Sequence, residues 1–140
     1  MKVVIAGSRD LVLGETPEET SAKEMNLIKI MSSYILDTVK SLDITITEII
    51  SGGAQGPDKL GERFARVFDI PCTVMKADWN RYGKSAGPIR NKEMAEECDA
   101  AFIFWDGKSR GTKNMIDNMY KLNKPVYIRI VDNGWHIKIS

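Results

Sequence analysis

Hydrophobic positions along the chain switch between two periods. Short, nearly continuous apolar runs at Lys2 to Gly7, about Thr45 to Ile50, Cys72 to Met75 after Pro71, Ala100 to Trp105 and Val126 to Ile130 read as strands. Between them, apolar residues recur at helical spacing. Ile28, Met31, Ile35 and Val39 share one face and predict a helix from about Ser21 to Lys40, with Glu15 to Glu24 as its acidic approach. Leu11 to Glu19 is expected to form either a lid or a disordered connection. A second helix is predicted from Pro57 to Phe68 and a third from near Pro88 to Cys98, because proline suits a first helical turn that needs no N–H. A fourth, introduced by Gly107 to Thr112, carries Met115, Met119 and Leu122 on one face.

Strands alternating with helices imply a layered α/β domain with a mostly parallel sheet, and Ala100 to Trp105, apolar throughout, belongs at its centre. Asp132-Asn133-Gly134, followed by Trp135, Ile137 and Ile139 alternating with His136 and Lys138, predicts a hairpin with an antiparallel edge strand. The expected fold is one Rossmann-like three-layer sandwich over residues 1–140. Right-handed crossovers would then gather the loops after the first, second and fourth strands at the carboxyl edge of the sheet, where open α/β sheets bind ligands.

Those three loops carry Gly7-Ser8-Arg9-Asp10, Ser51-Gly52-Gly53-Ala54-Gln55-Gly56-Pro57-Asp58 and Gly107-Lys108-Ser109-Arg110-Gly111-Thr112. Each contains glycine. Bare backbone at a helix start admits a phosphate to unpaired N–H groups, and Arg9 and Arg110 have the fork geometry for bidentate phosphate contacts. Read blandly, the same segments are tight turns. A fourth segment, Trp79 to Asn91, mixes aromatic and basic residues: Trp79, Arg81, Tyr82, Lys84, Arg90 and Asn91. These form either a nucleotide clamp, with rings stacking a base and cations holding phosphate, or a loop whose rings anchor it to the core. Arg90 and Glu93, one helical turn apart, either pair with each other or face a ligand.

Two motif matches fail. Gly83-Lys84-Ser85 ends like a P-loop, but the first glycine of that motif is replaced by Asp78. The dinucleotide fingerprint fails at Ser51, ahead of Gly53 and Gly56, and no acidic residue ends the third strand to hold a ribose.

Composition narrows the remaining classes. The chain is 43% hydrophobic and 28% charged, with a formal net charge of +1, so it lacks the basic excess of many duplex binders. A local excess persists in Lys76, Arg81, Lys84, Arg90 and Lys92. No run approaches the roughly 18 apolar residues of a membrane span, and Met1-Lys2 leads straight into a core strand, so a cytoplasmic location is expected. Cys72 and Cys98 form no CxxC pair and read as buried thiols, and neither metal nor cofactor is called for.

Taken in order, Gly7-Ser8-Arg9-Asp10, SGGAQGPD at 51 to 58, WNRYGKSAGPIRNKEM at 79 to 94 and SRGT at 109 to 112 resemble the YspA-like, cpYpsA-related branch of the SLOG superfamily, over nearly the whole chain. The resemblance implies a Rossmann-like domain that senses or processes nucleotides or nucleotide-derived ligands, similar to proteins of bacteria and their phages. Distant relatives are the LOG phosphoribohydrolases, which cleave the N-glycosidic bond of nucleoside 5'-monophosphates, and DprA-type proteins, which bind single-stranded DNA.

From the LOG enzymes Arg90 matches a catalytic arginine by position, and Gly111-Thr112 matches the end of a glycine-rich turn. Arg110 interrupts that turn, however, and Asn114 stands where the catalytic glutamate is expected. An amide cannot act as a carboxylate acid or base. Glu93 is the candidate substitute, with Arg90 and the Ser51 to Gly56 amides holding the 5'-phosphate. Asp58 then either contacts the ribose or simply stabilises the start of its helix. The alternatives are a module that binds an ADP-ribose-like signal without turnover and, less favoured because the cations cluster in one loop, a DprA-type single-strand binder. LOG-like relatives imply self-association, as a dimer or larger homo-oligomer.

Overall fold

The computed structural model describes residues 1–131 of the protein. Five strands form one sheet: β1 (Lys2–Gly7), β2 (Glu48–Ser51), β3 (Cys72–Val74), β4 (Ala100–Trp105) and β5 (Val126–Ile130). Their spatial order is β3-β2-β1-β4-β5, and the four neighbouring pairs are all parallel. The helices are α1 (Pro17–Leu42), α2 (Pro57–Val67), the short α3 (Trp79–Tyr82), α4 (Ala86–Glu97) and α5 (Arg110–Lys121). The antiparallel hairpin expected from Asp132-Asn133-Gly134 onward lies outside the described residues.

Side-chain alternation along the strands builds the two cores. Val3, Ile5, Ile49, Phe102 and Phe104 point to one face, where Leu27, Met31 and Ile35 of α1 and Leu60, Phe64 and Ala65 of α2 cover them. Val4, Ala6, Ile50, Ala101 and Ile103 point to the other, beneath Met94 and Ala95 of α4 and Met115, Ile116 and Met119 of α5. This is the three-layer α/β arrangement expected, and β1 and β4 are apolar on both faces because both are covered. Gly61 lets α2 lie against β1, since a Cβ there would stand 2.7 Å from Ile5 Cγ2.

Local features differ from the sequence reading, beyond the short α3. Helix α1 starts at Pro17, because Thr16 Oγ1 accepts from the Glu19 amide at 3.1 Å while Glu19 Oε2 accepts from the Glu15 amide at 2.8 Å. The segment ahead of it is a 3₁₀ turn at Arg9–Leu11 whose Leu11, with Val12, joins the core. Edge strand β3 is exposed along its length, so Cys72 is an exposed thiol and only Cys98 is buried. Burial pushes the Cys98 thiol up to about 11, which leaves it protonated and unreactive at neutral pH.

Candidate functional site

Chain order makes β1 and β4 neighbours at the point where the sheet reverses its direction of winding, so the loops that follow them open side by side. Side chains tie the two loops together. The Ser8 amide donates to the Phe104 carbonyl at 3.0 Å, and Ser8 Oγ donates to Asp106 Oδ1 at 3.1 Å while accepting from the Asp106 amide. Asp106 Oδ1 also accepts from the amides of Lys108 and Ser109, both at 2.8 Å. Burial works against this carboxylate, but those amide bonds and the Ser8 hydroxyl outweigh it and hold the group below the usual carboxylate range. The start of α5 is completed by Ser109, whose Oγ donates to Thr112 Oγ1 at 2.7 Å.

The glycine-rich loop after β2 is organised by Ser51 and Asp58. Ser51 Oγ accepts from the Gly53 amide at 3.0 Å and lies 2.8 Å from Glu62 Oε2; Asp58 Oδ2 accepts from the Ala54 amide at 3.2 Å. These two amides, expected to seat a phosphate, are therefore already bonded to the protein's own side chains. Asp58 is only 5% exposed. Burial pushes its carboxyl up to about 6, against the lowering pull of the Ala54 amide and of Arg90.

Arg90 reaches across from α4 to this loop, donating from Nη1 to the Gly52 carbonyl at 2.6 Å and from Nε to Asn91 Oδ1 at 3.0 Å. A Cβ at position 52 would stand 2.6 Å from Arg90 Nη1 and 2.7 Å from Asp58 Oδ2, so any larger residue there has to displace these side chains. Asn91 extends the chain of bonds to α5, donating to the Gly111 carbonyl at 3.2 Å and to Asn114 Oδ1 at 3.1 Å. One hydrogen-bonded path thus joins the β2 loop, α4 and the start of α5.

Around these groups lies an open cleft of about 630 Å³. Of the residues the sequence singled out, it brings together Gly7, Arg9, Ala54, Asp58, Trp79, Arg90, Asn91, Ser109, Arg110, Gly111 and Thr112. Ser8, Ser51, Gly52 and Gly56 are buried beside it and are not part of its lining, and Gly53 faces Val74 and Lys76; Gly56 takes φ 88° as its chain passes the Arg9 backbone. The clamp is only partly assembled. Trp79 lines the cleft, with Cη2 placed 3.4 Å from where a Cβ on Gly87 would sit, and the residue is 60% exposed. Arg81 instead stacks on Tyr82, 5.0 Å from its centroid, and these two and Lys84 lie exposed outside the cleft.

Glu93 does not meet the expectation of an acid or base in the cleft. Arg90, Asn91 and Met94 form the cleft face of α4, and Glu93 is exposed away from it. Arg90 bonds Gly52 and Asn91 rather than Glu93. Ala6, Met94 and Met115 line the cleft without having been singled out in the sequence, and Asp10 and Asn114, named there, were not assigned to the lining. The helical spacing of residue 114 from Arg110 and Gly111 would have placed it on the same wall.

The lining contains three guanidinium groups, Arg9, Arg90 and Arg110, and two carboxylates, Asp10 and Asp58. The ion pairs among the described residues, Lys2–Glu97, Lys59–Glu62 and Lys113–Asp117, use none of the three arginines. Among the described residues no group of three or more His, Cys, Asp or Glu side chains gathers to hold a metal, and no helix is long and apolar enough to cross a membrane.

No family model matches the chain, and no solved structure does. A relative among curated proteins is the "Gene 61 protein" of Mycobacterium phage D29, 33% identical over 84 residues that cover 56% of this chain and 67% of the phage protein. The chain belongs to the same family as that phage protein.

Proposed function

We propose that the cleft binds a phosphorylated, nucleotide-type ligand, a nucleoside monophosphate or an ADP-ribose-like molecule, as a sensor or processing protein of the YspA-like branch of the SLOG superfamily. The observation that carries this reading is the convergence of Arg9, Arg90 and Arg110 from three separate segments, without ion-pair partners within 4.0 Å among the described residues, on one cleft edged by an exposed tryptophan. Arg90 is half-buried while Arg9 and Arg110 are exposed; guanidinium groups favour phosphate oxygens, and an aromatic face accepts a base of any identity. With the Gly53 and Ala54 amides bonded internally, the arginines rather than the glycine-rich backbone supply most of the anion's partners.

A second reading, cleavage of the ligand's N-glycosidic bond, is favoured by one feature: Asp58 is a cleft carboxyl whose pKa of about 6 leaves a fraction protonated near neutrality. As the C1'–N bond breaks with its electrons going to the base, Asp58 would protonate the departing nitrogen. Water oxygen would bond to C1', and the proton that water sheds would restore the acid.

The deciding experiment is mass spectrometry after incubation of the protein with nucleoside monophosphates, ADP-ribose and NAD, following both retained ligand and released base. Retention of intact ligand, weakened roughly tenfold or more in Arg90→Ala by loss of a charge-assisted hydrogen bond, supports a binding module. Release of free base that disappears in Asp58→Asn supports the hydrolase. Absence of both retention and release overturns the nucleotide reading.

A further inference from the structure

Asn114 stands in the second turn of α5, half-buried on the cleft wall. Its amide orientation follows from its neighbours. Arg90 Nε can only donate, so the Asn91 oxygen must face it; the Gly111 carbonyl can only accept, so Asn91 Nδ2 must face that way. The same Asn91 Nδ2 reaches Asn114 at 3.1 Å, which requires the Asn114 oxygen on that side, and Asn118 Nδ2 approaches this oxygen at 3.3 Å. A carbonyl oxygen has two lone pairs, and both are committed. The group left for the cleft is the Asn114 NH2.

We propose that Asn114 is a specificity-determining residue that donates a hydrogen bond from Nδ2 to an acceptor oxygen, on ribose or phosphate, of the ligand held by Arg90 and Arg110. The proposal rests on the reading of the cleft as a phosphorylated-nucleotide site. It makes this wall a row of donors: two guanidinium groups and a neutral amide whose orientation is locked through Asn91. A carboxylate at 114 would still accept from Asn91 and Asn118, yet would offer the ligand nothing to accept.

Calorimetric titration of ADP-ribose and AMP into the wild type, Asn114→Asp, Asn114→Ala and Asn118→Ala tests this, at roughly 0.1 M and 0.5 M salt, where screening of through-space charge differs. Both substitutions at 114 should weaken binding by roughly three- to tenfold, the worth of one hydrogen bond, with the loss persisting at high salt. Asn118→Ala, which removes a partner of the same oxygen without touching the cleft, should bind within about twofold of wild type. The alanine variant decides the matter if the aspartate variant melts early. Wild-type affinity in Asn114→Ala, or an equal loss in Asn118→Ala, overturns the proposal while leaving the site's function intact. A wild type that binds neither probe overturns the underlying reading and the proposal with it.

Discussion

Asp58 carries the most perturbed carboxylate on the cleft, and its effect on stability has a definite sign. Folding raises its pKa from 3.8 to about 6, so the native state binds the proton more tightly than the unfolded chain does. The group therefore favours the fold below about pH 4, and that contribution is lost as pH rises through about 6, a change on the order of 3 kcal/mol. The substitution Asp58→Asn keeps an oxygen for the Ala54 amide but introduces a side chain that does not ionise. The stability difference between wild type and this variant, from urea melts, should shift in favour of the variant by up to that amount as pH rises from 4 to 7. A difference independent of pH would show that Asp58 ionises in the native state as it does in water. At the neighbouring loop position, Gly52→Ala should push Arg90 off the Gly52 carbonyl and weaken AMP binding, because its Cβ falls within 2.7 Å of both Arg90 and Asp58 side-chain atoms. Titration of AMP into that variant reads the effect.

At the scale of elements, hydrophobic period was enough to find β1, β4 and the span of α2, because each buries a continuous run or one face, and β5, whose Val126, Tyr127 and Ile128 are partly buried against the two cores. Helix boundaries were less legible where polar side chains set them. The signature Thr16-Pro17-Glu18-Glu19 combines a capping residue, a first-turn proline and a returning glutamate, yet it contains no apolar residue besides the proline and so falls outside a periodicity argument. Thr16→Ala should cost about 1 kcal/mol in a denaturant melt. Helix α3 was missed for a similar reason: it is one turn long, buries no residue, and begins because Asp78 Oδ1 accepts from the Arg81 amide at 3.1 Å. In the core, Phe102 is fully buried, with Tyr34 and Tyr127 rings 6.2 and 5.1 Å from its own. Phe102→Ala should lower stability by about 3–5 kcal/mol, and a much smaller loss would mean the layers repack around it.

For the molecule as a whole, topology does what no single motif does. The loops after β1, β2 and β4 are far apart in sequence, and the reversal of strand order at β1 and β4 brings Arg9, Arg90 and Arg110 to one cleft. The gathering of the three loops, and with it of Arg9 and Arg110, was readable from strand order and handedness alone, whereas Arg90 joins them from α4. The internal wiring was not, because it depends on which polar atoms find each other: Ser51 and Asp58 with the loop amides, Arg90 with Gly52, Asn91 with Asn114. Glu93 illustrates the limit, since its spacing from Arg90 fixes a helical neighbour but not which side of α4 faces the cleft. The central claim, that this cleft holds a phosphorylated nucleotide-type ligand through its arginines, is tested most directly by titrating ADP-ribose into wild type and Arg90→Ala at low salt. Saturable binding that weakens roughly tenfold or more in the variant is the predicted result. No binding by the wild type, or the same affinity in both, would contradict it.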